Sequence, residues 1–131
     1  RPASRVGRGR LSRSADFDRV FRQGRSYAAP ELVLYVFPRG EGGEPRLGLS
    51  VSRKVGGAVE RNRVKRILRE AFAREGERLP PGTDAVIVAR QGARGLAQGE
   101  GLAGVRHVLG ELVSRAAGST EPGPPSAEEA E

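Results

Sequence analysis

The sequence predicts an α+β domain, a two-layer sandwich of helices on a small mixed sheet. Three observations predict it. The runs ELVLYVF (31–37) and RLGLSVSR (46–53) alternate with the two-residue period of strands. Residues 56–75 carry the strongest helical periodicity in the chain, apolar on one side and cationic on the other. A short apolar run, DAVIVAR (84–90), then precedes a second helical pattern at 99–118.

SRSADFDRVFRQG (12–24) reads as a short helix. Ser14 suits the N-cap, Asp16 and Asp18 suit the first turn, and Gly24 suits the stop. Phe17, Val20 and Phe21 share one face. Strand material from Tyr27 to Phe37 is interrupted by Pro30, which leaves it one strand or two. Leu32, Leu34 and Val36 face one way there, and Val33, Tyr35 and Phe37 the other. GEGGEP (40–45) is a turn. In the next strand Leu47, Leu49 and Val51 oppose Gly48, Ser50 and Ser52. Such a strand packs on a helix on one side only, and the other side is expected to stay open for a bulky ligand. LPPG (79–82) breaks whatever precedes it. The last helix places Leu102, Val105, Leu109, Leu112 and Ala116 on one face. Gly101, Gly104 and Gly110 each cost it roughly 1 kcal/mol relative to Ala, so it depends on docking.

The 131 residues suggest one domain. Residues 1–11 are expected to form a mobile basic arm, 12–117 the folded unit, and 118–131 (GSTEPGPPSAEEAE) a disordered acidic tail. The net charge of +7 points to a polyanionic partner. It is unevenly spread: residues 1–69 hold 17 Lys and Arg against 6 Asp and Glu, while residues 70–131 hold 6 against 10.

Catalytic sets are missing. There is no cysteine and one histidine, His107, so disulfides, thiolate metal sites, Cys–His nucleophiles and ordinary histidine clusters are excluded. No catalytic or metal-ligating residue is therefore expected in the protein. No apolar run approaches the roughly 18 residues of a membrane span, and the basic N-terminus lacks the apolar stretch of a secretory signal.

On a wheel of residues 60–72, Arg61, Lys65, Arg69, Asn62 and Arg66 fall within an arc of about 140°. Val64, Ile67, Leu68, Ala71 and Phe72 fill the opposite side. A solvated face normally interleaves acids with bases at i, i+4. This one sets like charges at those spacings, which is unfavourable until an anion neutralises them. Asn62 is a poor helix former at mid-helix, and its amide can donate to a phosphate or a base edge. RNA or DNA binding follows. Phe17, Phe21 and Tyr35 fit either a core or rings that stack on single-stranded nucleotides.

The run LGLSVSRKVGGAVERNRVKRILREAF (47–72) resembles the signature of bacterial ribonuclease P proteins. That signature is a G-L-S-V-S-[KR]-K strand, a glycine turn, and an A-V-x-R-N-R-x-K-R-x-x-R-E helix. The resemblance extends over about residues 11–115, through the F-x-x-V-F spacing of the first helix, LVLYV and VIVAR. It implies an α-β-β-β-α-β-α order and a left-handed β-α-β crossover, the ribosomal protein S5 domain 2-like fold. Physics alone favours the right-handed connection.

The resemblance also implies roles. Arg61, Asn62, Arg63, Lys65, Arg66 and Arg69 would contact a catalytic RNA subunit. Phe17, Phe21, Tyr35, Ser50, Ser52, Arg53, Lys54 and Arg90 would line a cleft for the 5′ leader of precursor tRNA. Mg2+ would be bound by the RNA rather than by the protein. The implied partners are that RNA and precursor tRNA, with no membrane and no obligate protein partner, in the cytoplasm. Gly57 and Gln91 depart from the family pattern, where an Asn cap and a basic residue are frequent. A structural RNA-binding protein of ribosomal type explains the charge and fold equally well, but not the run 47–72. The missing catalytic groups argue against a stand-alone nuclease.

Overall fold

The structure, a computed structural model, describes residues 9–11, 14–39 and 43–118. Its elements are β1 (Gly9–Arg10), α1 (Ser14–Gln23), β2 (Arg25–Ala28), β3 (Leu32–Pro38), β4 (Arg46–Val51), α2 (Ala58–Glu75), β5 (Thr83–Ala89) and α3 (Gly92–Gly118). A single 3-10 turn, Gly76–Arg78, follows α2. The five strands form one mixed sheet in the order β1-β4-β5-β3-β2. β4 and β5 are parallel neighbours joined through α2; β3 runs antiparallel to both β5 and β2. The division at Pro30 thus produces two strands, joined by a turn in which Ala29 N donates to Leu32 O.

β5 is central, and its run Ala85–Val86–Ile87 is fully buried because both faces are covered. On one face α2 and α3 pack over Leu34, Leu47 and Ile87 with Val64, Leu68, Phe72, Leu109 and Leu112. Each such side chain contributes roughly 1.5–3 kcal/mol by leaving water. This is the two-layer body. On the other face α1 sits alone, with Val20 against Val86 and Leu11. The sheet face expected to be open is therefore half-covered. Gly48 explains how: a Cβ there would lie 2.7 Å from the Phe17 ring and 3.1 Å from Leu11. The missing side chain lets α1 and the N-terminal segment approach the sheet.

Three boundaries differ from the sequence expectation. The arm expected to be mobile through residue 11 is ordered at its end. Gly9–Arg10 pairs parallel with β4, and Leu11, buried, donates its N–H to Leu47 O at 3.0 Å. Residues 1–8 lie outside the described residues, as does the acidic tail beyond Gly118. The first helix begins at Ser14 rather than being capped by it. The last helix starts at Gly92, earlier than 99, because Ala93 and Ala97 are buried in the main core. It breaks at Gly101, whose φ of 62° and ψ of −150° are open to glycine.

One polar group sits in the sheet. Asp84 is fully buried at the start of β5. Arg46, directly opposite on β4, grips both carboxylate oxygens at 2.8 and 2.9 Å. Arg39, just past β3, donates to Oδ1 at 2.8 Å. Burial opposes the Asp84 charge, but the hydrogen bonds and charges of Arg46 and Arg39 outweigh it, so its pKa is lowered. A lowered native pKa stabilises the fold above the ordinary value of 3.8, and that stability is lost as pH falls through the native value. Asp84→Asn should cost about 3–5 kcal/mol, toward the lower end because Arg46 is 33% exposed and can rehydrate. Melting of the two proteins from pH 7 to 3 tests this. The deficit should be constant down to about pH 4 and shrink below it.

Candidate nucleic-acid interface

α2 starts at Gly57, an extended cap whose carbonyl accepts from Arg61 N at 2.9 Å, without a side-chain cap. Its apolar stripe, Val64, Leu68, Ala71 and Phe72, is buried. That rotation turns the cations outward. Asn62, Arg63, Arg66 and Arg69 are exposed; Arg61 and Lys65 lie half-buried along the flank. Among the described residues none of these five cations forms an ion pair. The acids of α2 are engaged elsewhere: Glu60 with Arg94 at 3.8 Å, and Glu75 with Arg78 and Arg106 at 2.7 and 2.8 Å. Glu70, exposed, falls between Arg66 and Arg63 on the helix surface.

Two cations of α2 stand in unfavourable surroundings. The Nε of Arg61 is buried with no hydrogen-bond partner. Burial, and then the charge of Arg10, lowers the pKa of Arg69.

The aromatic residues occupy the opposite face of the sheet. Phe17 lies over Gly48. Phe21 meets Phe17 at 6.2 Å and stands edge-on to Tyr35 at 4.9 Å. Phe21 is 37% exposed, so this cluster is both a small core and an open apolar wall. The strand register lines up a floor beside it, in which Ser50 lies opposite Val88 and Val88 opposite Val33. Ser50 and Val88 keep partial exposure. At the far end Ser52, Arg53 and Lys54 are exposed in the turn after β4, with Lys54 N donating to Ser52 Oγ at 3.2 Å. Arg90 reaches from the end of β5 to Ala29 O at 3.1 Å. The arrangement is a shallow trough with an aromatic wall, a small-residue floor and a cationic end.

Six of the expected residues thus lie on α2; Phe17, Phe21, Tyr35 and Ser50 lie on the α1 side of the sheet, and Ser52, Arg53, Lys54 and Arg90 follow the ends of β4 and β5. Sequence reasoning missed Arg10, which strand pairing sets, exposed, at the sheet edge opposite Leu47. It also missed Val59, 79% exposed on the first turn of α2, which a wheel begun one residue earlier would have set beside Arg66. Among the described residues no group of three His, Cys, Asp or Glu is placed to hold a metal ion. No described helix is long and apolar enough to cross a membrane.

Comparison with known proteins places this geometry. A family model described as Ribonuclease P matches residues 7–113. The ribonuclease P protein component of Bacillus pumilus is 40% identical over 102 residues, covering 78% of this chain and 86% of that one. That of Bacillus velezensis is 44% identical over 102 residues, covering 78% and 87%. Among solved structures, the RNase P protein of Thermotoga maritima aligns with a TM-score of 0.73 at 33% identity, over 82% of this chain and 97% of that one. The Staphylococcus aureus protein aligns at 0.71 and 33%, over 82% and 94%.

The trough wall depends on the close approach at Gly48. Gly48→Ala should displace Phe17 and cost roughly 1–3 kcal/mol, read from denaturant unfolding. An unchanged midpoint would mean that α1 does not rest on that glycine.

Proposed function

The chain belongs to the ribonuclease P protein family, and on that premise we propose that α2 binds the catalytic RNA subunit while the trough takes the 5′ leader of precursor tRNA. As a ribonuclease P protein component it is part of an endoribonuclease that processes tRNA 5′ ends. The further steps are our reading. The observation that carries it is the face of α2, where Asn62, Arg63, Arg66 and Arg69 are exposed, Arg61 and Lys65 lie along the flank, and none of the cations pairs with an acid among the described residues.

A surface of that kind displaces the counterions of an RNA backbone and lowers the repulsion between strands brought together at a cleavage site. Less Mg2+ is then needed for the RNA to fold and cut. In this reading the magnesium ions of the reaction are held by the RNA, and the protein binds and orients. The trough suits a single strand. Phe17, Phe21 and Tyr35 offer ring faces and edges to bases, Ser50 and Ser52 keep the floor shallow, and Arg53, Lys54 and Arg90 meet phosphates. Contacts to the leader raise affinity for precursor but not for the mature product, which lacks it. The reaction takes place in the cytoplasm, where the tRNA precursors are.

Mixed with a bacterial ribonuclease P RNA and precursor tRNA at low Mg2+, the protein should stimulate leader removal. No stimulation would falsify the holoenzyme reading. Arg61→Ala with Arg66→Ala should weaken binding to that RNA and reduce the salt slope by about 1 log unit per lost phosphate contact. An unchanged slope would place those side chains away from the backbone. Phe21→Ala, chosen because the ring is already half in solvent, should weaken binding of precursor tRNA and spare mature tRNA. Equal loss for both would remove the ring from the leader path.

A further inference from the structure

The helical layer carries a second cationic cluster, apart from the row on α2. An open hollow of about 660 Å³ lies between the last turn of α2, the 3-10 turn and α3. At its centre is Glu75, the last residue of α2 and a largely buried carboxylate. The helical rise puts it about 20 Å along the axis from Asn62. Each oxygen of Glu75 holds a different arginine. Arg78 Nη2 donates to Oε1 at 2.7 Å, and Arg106 Nε donates to Oε2 at 2.8 Å. Arg78 is fully engaged: it also donates to Gly110 O at 3.1 Å and to Ser114 Oγ. Arg106 is not. Its two terminal nitrogens have no partner among the described residues, and its side chain is 40% exposed.

A clamp between two helices has no need of that arrangement. Where an arginine of this chain serves the framework, as Arg46 does, it spans both oxygens of its acid with Nε and Nη2. Arg78 denies Arg106 the second oxygen, so the carboxylate fixes the Arg106 guanidinium and leaves its terminal fork unused. Gly110 shapes the floor. A Cβ there would lie 3.1 Å from Glu75 Oε1 and 3.2 Å from Arg78 Nη2, so the glycine lets this ion pair rest against α3. Arg106, Gly110 and Ser114 follow one another at i, i+4 and i+8, in a row on one face of the helix. Ser114 accepts from Arg78, and its own O–H remains to donate. Arg115 lines the far end, its guanidinium over the Tyr27 ring at 5.7 Å. The acids are Glu75, neutralised twice, and Glu111 on the rim, 3.6 Å from His107 Nε2. Three arginines thus line the hollow against two glutamates.

We propose that this hollow binds phosphate, with the terminal nitrogens of Arg106 and the hydroxyl of Ser114 as donors, held in place by Glu75 and Arg78. A planar, permanently charged fork favours an oxyanion that accepts several N–H bonds at once. The hollow is open along α3 from Arg106 to Arg115 rather than closed around one group, which suits a phosphate within a polynucleotide better than a free one. The site is independent of the reading of the α2 face.

The test is an amide NMR titration of the full chain at pH 7 and constant ionic strength, balanced with sodium chloride. Inorganic phosphate should shift the amides of residues 106–114 along a saturating curve. Arg106→Gln should weaken that binding about ten-fold, the worth of one charge-assisted contact. Unmoved amides in β5 will show that the variant is folded. Arg61→Ala with Arg66→Ala should leave the shifts at 106–114 intact, and their loss there would return the site to α2. In that double variant, uridine 5′-monophosphate and decauridylate separate the sources. Tighter binding of decauridylate is expected for a polynucleotide phosphate; equal affinity would make a free phosphate compound the ligand. The proposal is overturned by a linear, unsaturated response to phosphate, by an equal response to sodium acetate, or by undiminished affinity in Arg106→Gln.

Discussion

Burial of Val64, Leu68, Ala71 and Phe72 holds α2 at one rotation about its axis, and the remaining structure depends on that rotation. Side chains on a helix stand at fixed angles to one another. Once the apolar stripe is pressed into the sheet and α3, the position of every cation follows. Arg61 and Lys65 come to the flank, and Asn62, Arg63, Arg66 and Arg69 to solvent. Two arginines of α3, and Arg78 in the turn after α2, reinforce this by drawing off Glu60 and Glu75. Of the acids of α2, only Glu70 is left exposed among its cations.

The sheet beneath has two unlike faces. One is filled by α2 and α3. The other carries only α1, and the absence of a side chain at Gly48 decides how close that helix comes. Phe17 settles into the gap, Phe21 and Tyr35 remain partly exposed, and the row Ser50, Val88 and Val33 continues the floor. At the opposite end of the strands Asp84 ties β4 to the segment after β3 through two arginines. Arg46 thus belongs to the framework, although it lies close to the cationic surface. Charge alone does not separate a structural arginine from a binding one; the partner does.

Much of this was legible residue by residue. The stripe of α2, the Gly57 cap and the alternation in β4 are local patterns, and local patterns survive folding when the core supports them. The start of α3 was not legible. Gly95, Gly99 and Gly101 weaken the helical reading of residues 92–101, and docking of Ala93 and Ala97 overrides that local preference. The order of residues 9–11 was equally hidden. Their composition reads as a free arm, and the strand forms because a distant partner, residues 46–47, presents an unpaired edge.

The sequence by itself determined which faces are apolar and which are cationic, because periodicity and charge are properties of neighbours a few residues apart. It also sufficed to exclude cysteine and histidine-cluster chemistry, and its 47–72 run carried the family. Tertiary structure alone decided which acids are drawn away from the cationic face and how far α1 covers the other face of the sheet. Those outcomes rest on contacts between residues some thirty to forty apart in the chain, where the geometry is set by packing and strand register and leaves no periodic trace in the letters.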